Sequence, residues 1–260
     1  MSNFEFDGEK YKKVSRHQKE WGNKLISELE LKGNESILDL GCGDGVLTER
    51  LATLVPSGKV IGIDASRGMI ETAKEIKKSN LVFICMDIND VDFINEFDII
   101  FSNAALHWVK NHESLLRNCL TALKPNGFIR WNFAGDGTCT NFNSIVQAMM
   151  GDDDYKNYFV NFEWPWFMPS KDEYEEILAS SGFSEVRIQL DNMDRYFSDC
   201  DEMIGWIDQP TIVPFLKYIP EKEKEGFRNR VVDMMIKKTK IPDGRCFETF
   251  KRINLKAVKE

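Results

Sequence analysis

The sequence predicts an α/β protein built on a doubly wound, mostly parallel sheet of seven strands. Short apolar runs alternate with segments of helical periodicity over residues 36–133, and several of the runs end in an acidic or polar residue. Parallel strands need a crossover connection, which is usually a helix, so this alternation indicates a parallel sheet. Two further apolar runs in the second half of the chain are expected to complete the sheet.

The individual elements follow from the period of the apolar residues. Apolar runs bounded by turn residues predict strands at residues 36–40, 59–63, 81–86, 97–101, 128–133, 185–190 and 247–258. Helical spacing predicts helices at residues 46–54, 69–78, 114–123 and 171–180, and one or two more within residues 10–31. Residues 199–240 are predicted to form two or three helices, because Pro210, Pro214 and Pro220 interrupt the helical pattern.

The chain is expected to form one α/β core with a helical cap inserted after strands 5 and 6. The alternation stops after residue 133, and residues 134–170 are rich in glycine, asparagine and aromatic residues. There is no internal repeat or low-complexity linker. The expected segments are a helical arm (1–33), the α/β core (34–133), a cap insertion (134–170), a core continuation (171–198), a helical cap (199–246) and a last core strand (247–260).

Composition and charge restrict the partners and the compartment. The net charge of −8 argues against a nucleic-acid partner, which would normally require a basic face. The first ten residues lack the apolar region of a signal peptide, and no uncharged apolar run approaches the ~18 residues of a membrane span. The six cysteines are scattered, as expected for free thiols in a reducing compartment. We therefore expect a cytoplasmic protein with no membrane partner; the sequence leaves the oligomeric state open and is compatible with a monomer.

A glycine-rich turn follows the first predicted strand. Gly41, Gly43 and Gly45 permit a tight strand-to-helix turn and let a ligand approach the backbone closely. In open α/β sheets, ligands bind outside the carboxyl ends of the strands, at the point where the strand order reverses. Asp64 and Asp87 end the next two strands, and an acidic residue at the end of the second strand can bind the hydroxyls of a ribose. The turn therefore predicts a nucleoside-binding site.

Two details favour a cationic nucleoside over a dinucleotide such as NAD. Val46 stands where a dinucleotide-binding turn has its third glycine. Residues 33–48 contain no Lys or Arg, whereas they contain Glu35, Asp39 and Asp44. Negative charges near a helix N-terminus oppose a pyrophosphate, although the helix dipole itself favours anions there. They suit a ligand that carries an ammonium and a sulfonium group.

The residues around these strand ends resemble a known enzyme family. The segments ILDLGCGDGVLT, VIGIDAS, FICMDI and DIIFSNAALHW are similar to the successive motifs of class I S-adenosylmethionine-dependent methyltransferases. Within that class, SNAALHW and the insertions after it resemble the trans-aconitate and malonyl-acyl-carrier-protein methyltransferases. The resemblance is specific over residues 36–132, weaker near Trp206 and the C-terminus, and faint across residues 134–170.

The resemblance implies a fold, a cofactor and a set of contacts. It implies the Rossmann-like methyltransferase fold, S-adenosyl-L-methionine as the methyl donor, and S-adenosyl-L-homocysteine as its product. The implied cofactor-binding residues are the N-terminal Tyr11, His17 and Gln18; Asp39, Gly41, Cys42, Gly43 and Gly45 for the methionine part; Asp64, Ala65, Met69, Asp87 and Ile88 for the ribose and adenine; and Asn103 near the sulfonium.

Several of these positions have a simpler alternative interpretation. Asp87 is also a suitable helix or turn cap, and Asn103 is a common turn residue. Met69 also fits a helix core, and His17 also fits a surface or an interface.

Methyl transfer from a sulfonium is an in-line displacement that needs alignment of the reactants and exclusion of water. A carboxylate acceptor needs no general base, whereas an alcohol or a carbon acid does. If a base is used, His107 is the first candidate for the catalytic residue, with a packed or exposed histidine as the alternative. The three histidines form no i,i+4 pair, so no metal site is predicted.

The acceptor pocket is expected to contain His107, Trp108, Trp164 and Trp166. The last two belong to an aromatic cluster that would line an apolar pocket or, alternatively, would join the cap to the core. Its members are Tyr155, Tyr158, Phe159, Phe162, Trp164, Trp166 and Phe167. Recognition of a carboxylate calls for an arginine fork, for which Arg130, Arg195 and Arg245 are candidates.

The leading hypothesis is an S-adenosylmethionine-dependent methyltransferase that acts on a small molecule, with a carboxylate oxygen as the expected methyl acceptor. Two alternatives stay open at the level of the sequence. One is an NAD-dependent oxidoreductase on the same kind of sheet, and the other is a non-catalytic partner protein that binds S-adenosylmethionine. A fold alone decides poorly between these, because one fold supports many activities.

Overall fold

The computed structural model describes residues 16–260 of the protein, apart from the side chains of Arg16 and Pro210. The strands are β1 Ser36–Leu40, β2 Lys59–Asp64, β3 Leu81–Cys85, β4 Phe97–Asn103, β5 Leu123–Ala134, β6 Ser184–Asn192, β7 Arg195–Phe197, β8 Cys246–Glu248 and β9 Lys251–Val258. The α-helices are α1 Arg16–Ser27, α2 Val46–Leu54, α3 Arg67–Ala73, α4 His112–Ala122, α5 Thr140–Met150, α6 Lys171–Ala179, α7 Cys200–Trp206, α8 Val213–Leu216 and α9 Glu221–Thr239.

The described chain divides into two compact units. The first unit extends to Asp136 and continues with Trp166–Asp191 and Arg252–Glu260. The second unit consists of Gly137–Pro165 and Asn192–Lys251. In chain order, the two parts of the second unit follow β5 and β6.

The first unit contains the seven-stranded sheet, in the order β3-β2-β1-β4-β5-β9-β6. Strands β1 to β5 pair in parallel with their neighbours, and β9 pairs antiparallel with β5. The expectation of a mostly parallel sheet of seven strands is confirmed. Because β1 lies between β2 and β4, the strand order reverses beside β1, and the carboxyl ends of these strands meet at one edge of the sheet.

Helices cover both faces of this sheet. Residues along β1 alternate between the faces, so Ile37 packs with α1, α2 and α3, whereas Leu38 and Leu40 pack with α4 and α6. Strands that are buried on both faces are continuous apolar runs, and this is why β1, β2 and β4 could be predicted from the sequence. No helix in residues 16–260 is long and apolar enough to cross a membrane.

The apolar run at residues 247–258 and the helix predicted at residues 69–78 differ from the sequence prediction. The apolar run at residues 247–258 forms two strands, β8 and β9, in which β8 pairs with β7 and β9 pairs with β5. Between them, the Glu248 carboxylate accepts a hydrogen bond from the Thr249 N–H, and the Asp194 carboxylate accepts one from the Phe250 N–H. These side chains turn the backbone out of the extended ladder. Helix α3 begins earlier than predicted, because the Ser66 hydroxyl caps it by accepting from the Met69 N–H.

The second unit has an aromatic core of its own. Phe162 stacks on Phe215 at 5.3 Å between ring centroids, and Phe159 and Tyr155 pack on Phe227 at 5.8 and 5.0 Å. Trp164 meets Phe215 at 5.6 Å. These members of the predicted aromatic cluster therefore pack within the second unit.

A buried carboxylate organises the start of α5 in the second unit. Glu248 is fully buried, and its carboxylate accepts the N–H groups of Asn141 and Phe142 at 3.1 and 3.0 Å. Burial raises the pKa of the Glu248 carboxyl, and the hydrogen bonds from the backbone oppose that rise. An anion at the first turn of a helix also interacts favourably with the helix dipole.

The two-faced core predicts a clear contrast between two aliphatic residues. Leu116 on α4 is fully buried in the core, whereas the Ile94 side chain is 67% exposed. Leu116→Ala should lower the free energy of unfolding by about 2–5 kcal/mol, because it leaves a cavity. Ile94→Ala should change it by less than about 0.5 kcal/mol. Urea unfolding followed by circular dichroism measures both, and equal losses would contradict this assignment of the core.

Candidate active site at the carboxyl ends of the strands

The turn between β1 and α2 has a left-handed backbone at each of its glycines. The φ angles are +73° at Gly41, +54° at Gly43 and +80° at Gly45, a region that residues with a side chain rarely adopt. A Cβ on Gly41 would lie 2.2 Å from the Ala105 Cβ, and a Cβ on Gly45 would lie 2.7 Å from the Phe83 ring. A Cβ on Gly43 would meet no atom within 4 Å. The turn is thus packed on both sides and open at its centre.

Two aspartates flank this open centre. The Asp64 carboxylate at the end of β2 accepts the N–H of Gly43 at 3.0 Å and the N–H of Ser66 at 2.9 Å. Asp39 in β1 is buried, and its carboxylate accepts the Thr48 hydroxyl at 2.7 Å. Burial raises the pKa of the Asp39 carboxyl to about 7, and the negative charge of Asp64 adds to the rise. Asp39 therefore exchanges its proton close to neutral pH.

Glu35 and Asp44 were also expected to add negative charge at the glycine turn, and the structure limits that contribution. Glu35 lies at the amino end of β1, next to Ser36 and away from the glycine turn, where its carboxylate accepts backbone N–H groups of residues 32–34. Asp44 lies in the turn, but the Lys19 ammonium pairs with it at 2.7 Å. A positive charge thus reaches the turn from α1, so the local excess of negative charge is smaller than the sequence of the turn indicates.

Helix α1 packs against this edge of the sheet. The Asn103 side-chain amide, at the end of β4, donates to the Gln18 carbonyl at 2.9 Å. The packing is close because α1 has Gly22 at this point, where a Cβ would lie 3.0 Å from the Asn103 amide nitrogen and 2.2 Å from the Leu47 side chain. His17 is buried, with its ring 5.0 Å from that of Trp21. The structure thus brings His17 and Gln18 to the same edge as Asn103, whereas Tyr11 lies outside the described residues.

Two acceptor atoms at this edge have no hydrogen-bond partner in the part of the chain that the structure describes. The side-chain oxygens of Gln18 and Asn103 are buried, and neither accepts a hydrogen bond from residues 16–260. Buried polar atoms are nearly always hydrogen-bonded, so a pair of them at one edge suggests that a ligand satisfies them.

The residues expected near an adenine lie at the ends of β2 and β3. The Asp87 carboxylate accepts the Asn89 N–H at 2.9 Å, so it caps the 3₁₀ turn Ile88–Asp90, as its simpler interpretation required. Ile88 and Met69 are buried, and Ala65 is half-buried. Cys42 is buried, and burial raises the pKa of its thiol well above the usual value. The contacts of these residues with a cofactor remain predictions.

A second turn follows β4 and carries the candidates for the acceptor side. Ala104 has a left-handed φ of +58°, and its N–H donates to the Asn132 carbonyl at 2.7 Å. The 3₁₀ turn Leu106–Trp108 follows. The rings of Trp108 and Trp166 meet at 5.8 Å, so these two predicted pocket residues lie together, whereas Trp164 belongs to the second unit.

His107 in this turn is a weak base. Its Nδ1 is buried and has no hydrogen-bond partner among the described residues. Burial lowers the pKa of His107 to about 3, and the charge of Arg252 contributes to the decrease. The imidazole is therefore neutral at physiological pH and binds a proton only weakly.

Each arginine proposed as a carboxylate fork is held by protein groups. Arg130 donates to Glu28 and Asn254. Arg195 pairs with Glu202 at 3.0 Å, and Arg245 pairs with Asp243 at 2.7 Å. Protein carboxylates pair with all three of these guanidinium groups, so the three side chains are poor candidates for binding an acceptor.

Sequence reasoning missed Arg252, a buried guanidinium at the carboxyl end of β5. Its Nε donates to the Asn132 side-chain oxygen at 2.8 Å, and its Nη2 donates to the Asn132 carbonyl at 3.0 Å. Its Cζ lies 4.7 Å from the centre of the Trp21 ring. No local pattern identifies this residue, because its position depends on the register of β9 against β5, in which Ala134 is opposite Arg252. Lys19 was missed for a similar reason, since its partner Asp44 lies in another element.

The reversal of strand order beside β1, the open glycine turn and the acids at the strand ends define a nucleoside-binding edge of the class I methyltransferase type. Comparison with known proteins agrees. A family model described as a methyltransferase domain matches residues 37–127. An uncharacterized methyltransferase of Schizosaccharomyces pombe is 28% identical over 243 residues, which cover 91% of this chain and 91% of that protein.

Two enzymes with named substrates are also similar. The trans-aconitate 2-methyltransferase of an Enterobacter species is 26% identical over 238 residues, 91% of each chain. The malonyl-[acyl-carrier protein] O-methyltransferase of Acetivibrio thermocellus is 31% identical over 138 residues, which cover 52% of this chain and 49% of that enzyme. Among solved structures, phosphoethanolamine N-methyltransferase 2 of Haemonchus contortus, in complex with S-adenosylhomocysteine, has a TM-score of 0.62 at 20% identity; the alignment covers 97% of this chain and 56% of that one.

A methyltransferase domain thus matches residues 37–127, and over 91% of its length the chain is similar to methyltransferases. The family predicted from the motifs is confirmed, and so are the fold, the class of enzyme and the cofactor. The two alternatives, an NAD-dependent oxidoreductase and a non-catalytic binding partner, are wrong.

The residues present fit the cofactor of this family. The open centre at Gly43 provides space beside the turn, and the side-chain oxygens of Gln18 and Asn103, to which no group of residues 16–260 donates, suit the positive end of a sulfonium ligand. Asp64 and Asp39 provide carboxylates for hydroxyl and ammonium groups.

Two alanine substitutions in the glycine turn distinguish a position that is packed inside the protein from one that is open to a ligand. Gly41→Ala should be strongly destabilising, because the new Cβ collides with Ala105. The alanine would also have to adopt the left-handed backbone conformation of Gly41. Gly43→Ala should cost only about 1–2 kcal/mol for the backbone, yet should weaken the binding of S-adenosylhomocysteine. Thermal unfolding and calorimetric titration measure the two effects. Unchanged affinity in Gly43→Ala would show that the open centre does not receive the ligand.

The raised pKa of Asp39 predicts a pH dependence of stability. The folded protein keeps this proton up to about pH 7, whereas the unfolded chain loses it near the ordinary aspartate pKa of 3.8. The stability that the proton contributes is therefore present at low pH and is lost as the pH rises through about 7, at up to about 1.4 kcal/mol per pH unit.

Asp39→Asn removes this titration. Without ligand, the variant should lose less stability than the wild type between about pH 5 and about pH 8. Urea unfolding at both pH values measures the difference, with Asp90→Asn on an exposed turn as the control. Parallel pH profiles for Asp39→Asn and the wild type would contradict the assignment.

Proposed function

We propose that this methyltransferase transfers the methyl group to a carboxylate oxygen of a small organic acid. The observation that carries the proposal is the low pKa of His107 in the second turn. Burial lowers this pKa to about 3. So weak a base removes a proton from an alcohol or a carbon acid poorly. A carboxylate is already ionised at neutral pH and needs no proton removed.

The charge of Arg252 supports an anionic acceptor. Its guanidinium is buried at the carboxyl end of β5, where Asn132 fixes it, and it lies close enough to His107 to lower the pKa of that imidazole. In a site of low dielectric constant, a fixed positive charge attracts a carboxylate more strongly than in water. Two of the similar enzymes are named for trans-aconitate and for malonyl-[acyl-carrier protein].

The cofactor supplies a methyl group that is already activated by its sulfonium. The residues of this chain hold the donor: Asp39 and the backbone of Gly41 to Gly45 for the amino-acid part, Asp64 for the ribose, and Ala65, Met69, Asp87 and Ile88 around the adenine. Asn103 is proposed to face the sulfonium, and His17 and Gln18 of α1 cover this edge. Tyr11 is proposed as a further cofactor-binding residue. His107, Trp108 and Trp166 then align the acceptor and exclude water, and the role expected for Trp164 stays a prediction.

The test is incubation of the purified protein with S-adenosylmethionine that carries a deuterated methyl group. The acceptor panel contains di- and tricarboxylic acids, including trans-aconitate and a malonyl thioester, and matched alcohols and amines, including phosphoethanolamine. Mass spectrometry should find labelled methyl esters that hydroxide hydrolyses. A labelled ether or amine in place of an ester would overturn the proposal.

Substitutions of His107 and Arg252 test whether the reaction needs a general base and whether the positive charge of Arg252 binds the acid. His107→Gln should lower kcat by less than about tenfold, whereas loss of a general base costs about 10²–10⁴-fold. Arg252→Met should raise the KM for the acid at least about tenfold, and Arg252→Lys, which keeps the charge, should recover part of that loss. Arg245→Met, which removes an exposed arginine of the second unit, is the matched control.

A further inference from the structure

A second histidine of the first unit, His112, has no place in the chemistry described so far. It begins α4, and only 2% of its surface is exposed. Both ring nitrogens are hydrogen-bonded: Nδ1 lies 2.8 Å from the Tyr174 hydroxyl oxygen, and Nε2 lies 3.0 Å from the Leu106 carbonyl oxygen. These two hydrogen bonds hold the His112 ring in one orientation.

The partners determine which nitrogen carries the proton. The Leu106 carbonyl can only accept a hydrogen bond, so Nε2 is the donor. Nδ1 then accepts from the Tyr174 hydroxyl, which keeps its proton because burial raises the pKa of Tyr174 well above the usual value. Burial also lowers the pKa of His112 to about 4, so the imidazole is neutral.

The Leu106 carbonyl begins the 3₁₀ turn that carries His107 and Trp108. On the other side of this turn, the His107 carbonyl accepts the Phe167 N–H at 2.8 Å. The Phe167 ring in turn packs on the His112 ring, with 4.8 Å between centroids. His112 therefore holds one end of the turn by a hydrogen bond and supports the residue that holds the other end.

We infer that His112 is a positioning residue for methyl transfer, because its Nε2–H fixes the turn Leu106–Trp108 at the acceptor side of Asn103. The inference rests on the proposed function, in which this turn aligns the acceptor. In-line transfer requires the reacting atoms about 3–3.5 Å apart, and a displacement of about 1 Å can cost about 10²-fold in rate. His112 touches neither reactant and acts through the backbone of the turn.

Two amide substitutions separate the hydrogen bonds of His112. The side-chain nitrogen of glutamine reaches the position of Nε2 and can donate to Leu106, whereas asparagine places its polar atoms near Nδ1 and reaches only Tyr174. His112→Asn should lower kcat by about 10–100-fold with little change in the affinity for S-adenosylhomocysteine. His112→Gln should recover most of that kcat, although it loses the bond to Tyr174.

Phe133→Leu is the packing control, since it reduces a ring 5.4 Å from His112 and leaves both hydrogen bonds. It should lower the melting temperature and keep kcat. Equal losses of kcat in His112→Gln and His112→Asn would overturn the inference, because packing alone would then explain them.

Hydrogen exchange provides a readout that does not depend on turnover. In His112→Asn, the amides of Trp108 and Val109, which close the turn by donating to Ala105 and Leu106, should exchange at least about tenfold faster than in His112→Gln. Equal exchange in the two variants would overturn the role of His112 even if no acid of the panel is methylated. Loss of protection without any turnover would leave His112 as the support of the turn and refute the proposed function instead.

Discussion

The pairing of β1 with β4 is the constraint on which the rest of the site depends. Leu38 lies opposite Ile100 and Asp39 opposite Phe101, so the two strands end side by side. The Ser102 hydroxyl donates to the Leu40 carbonyl at 2.8 Å and joins the ends. The glycine turn then meets the second turn at Gly41 and Ala105, where there is no room for a side chain. This register places the glycine turn and the second turn next to each other.

The charges around the site are arranged so that few of them are unbalanced. Asp44 has the Lys19 ammonium, Asp64 has two backbone N–H groups, and Asp39 titrates near neutral pH. The protein thus keeps carboxylates beside an open space without strong mutual repulsion. A buried guanidinium, that of Arg252, is contributed by β9 at the carboxyl end of β5.

The sequence was sufficient where a feature depends on neighbouring residues. The buried parallel strands are continuous apolar runs, and the glycines and acids at strand ends occupy positions that the strand order then brings together. The same reasoning could not find Lys19, Arg252 or the function of His112, because each depends on a partner in a distant element. The expectation that Glu35 lies near the turn was wrong. Glu35 is close to the turn in sequence, but it precedes the amino end of β1, whereas the glycine turn follows the carboxyl end.

Gly22 determines how closely α1 approaches the carboxyl ends of the strands. The Asn103 amide is already held by the Gln18 carbonyl, so a larger residue at position 22 would act as a wedge between α1 and the strand ends. Leu47 can rotate away, but the amide cannot move without losing its bond. The close approach of α1 to the strand ends therefore depends on a residue of the first described helix, outside every segment that carries the family motifs. Homologous chains with different residues here would be expected to exchange their cofactor at different rates.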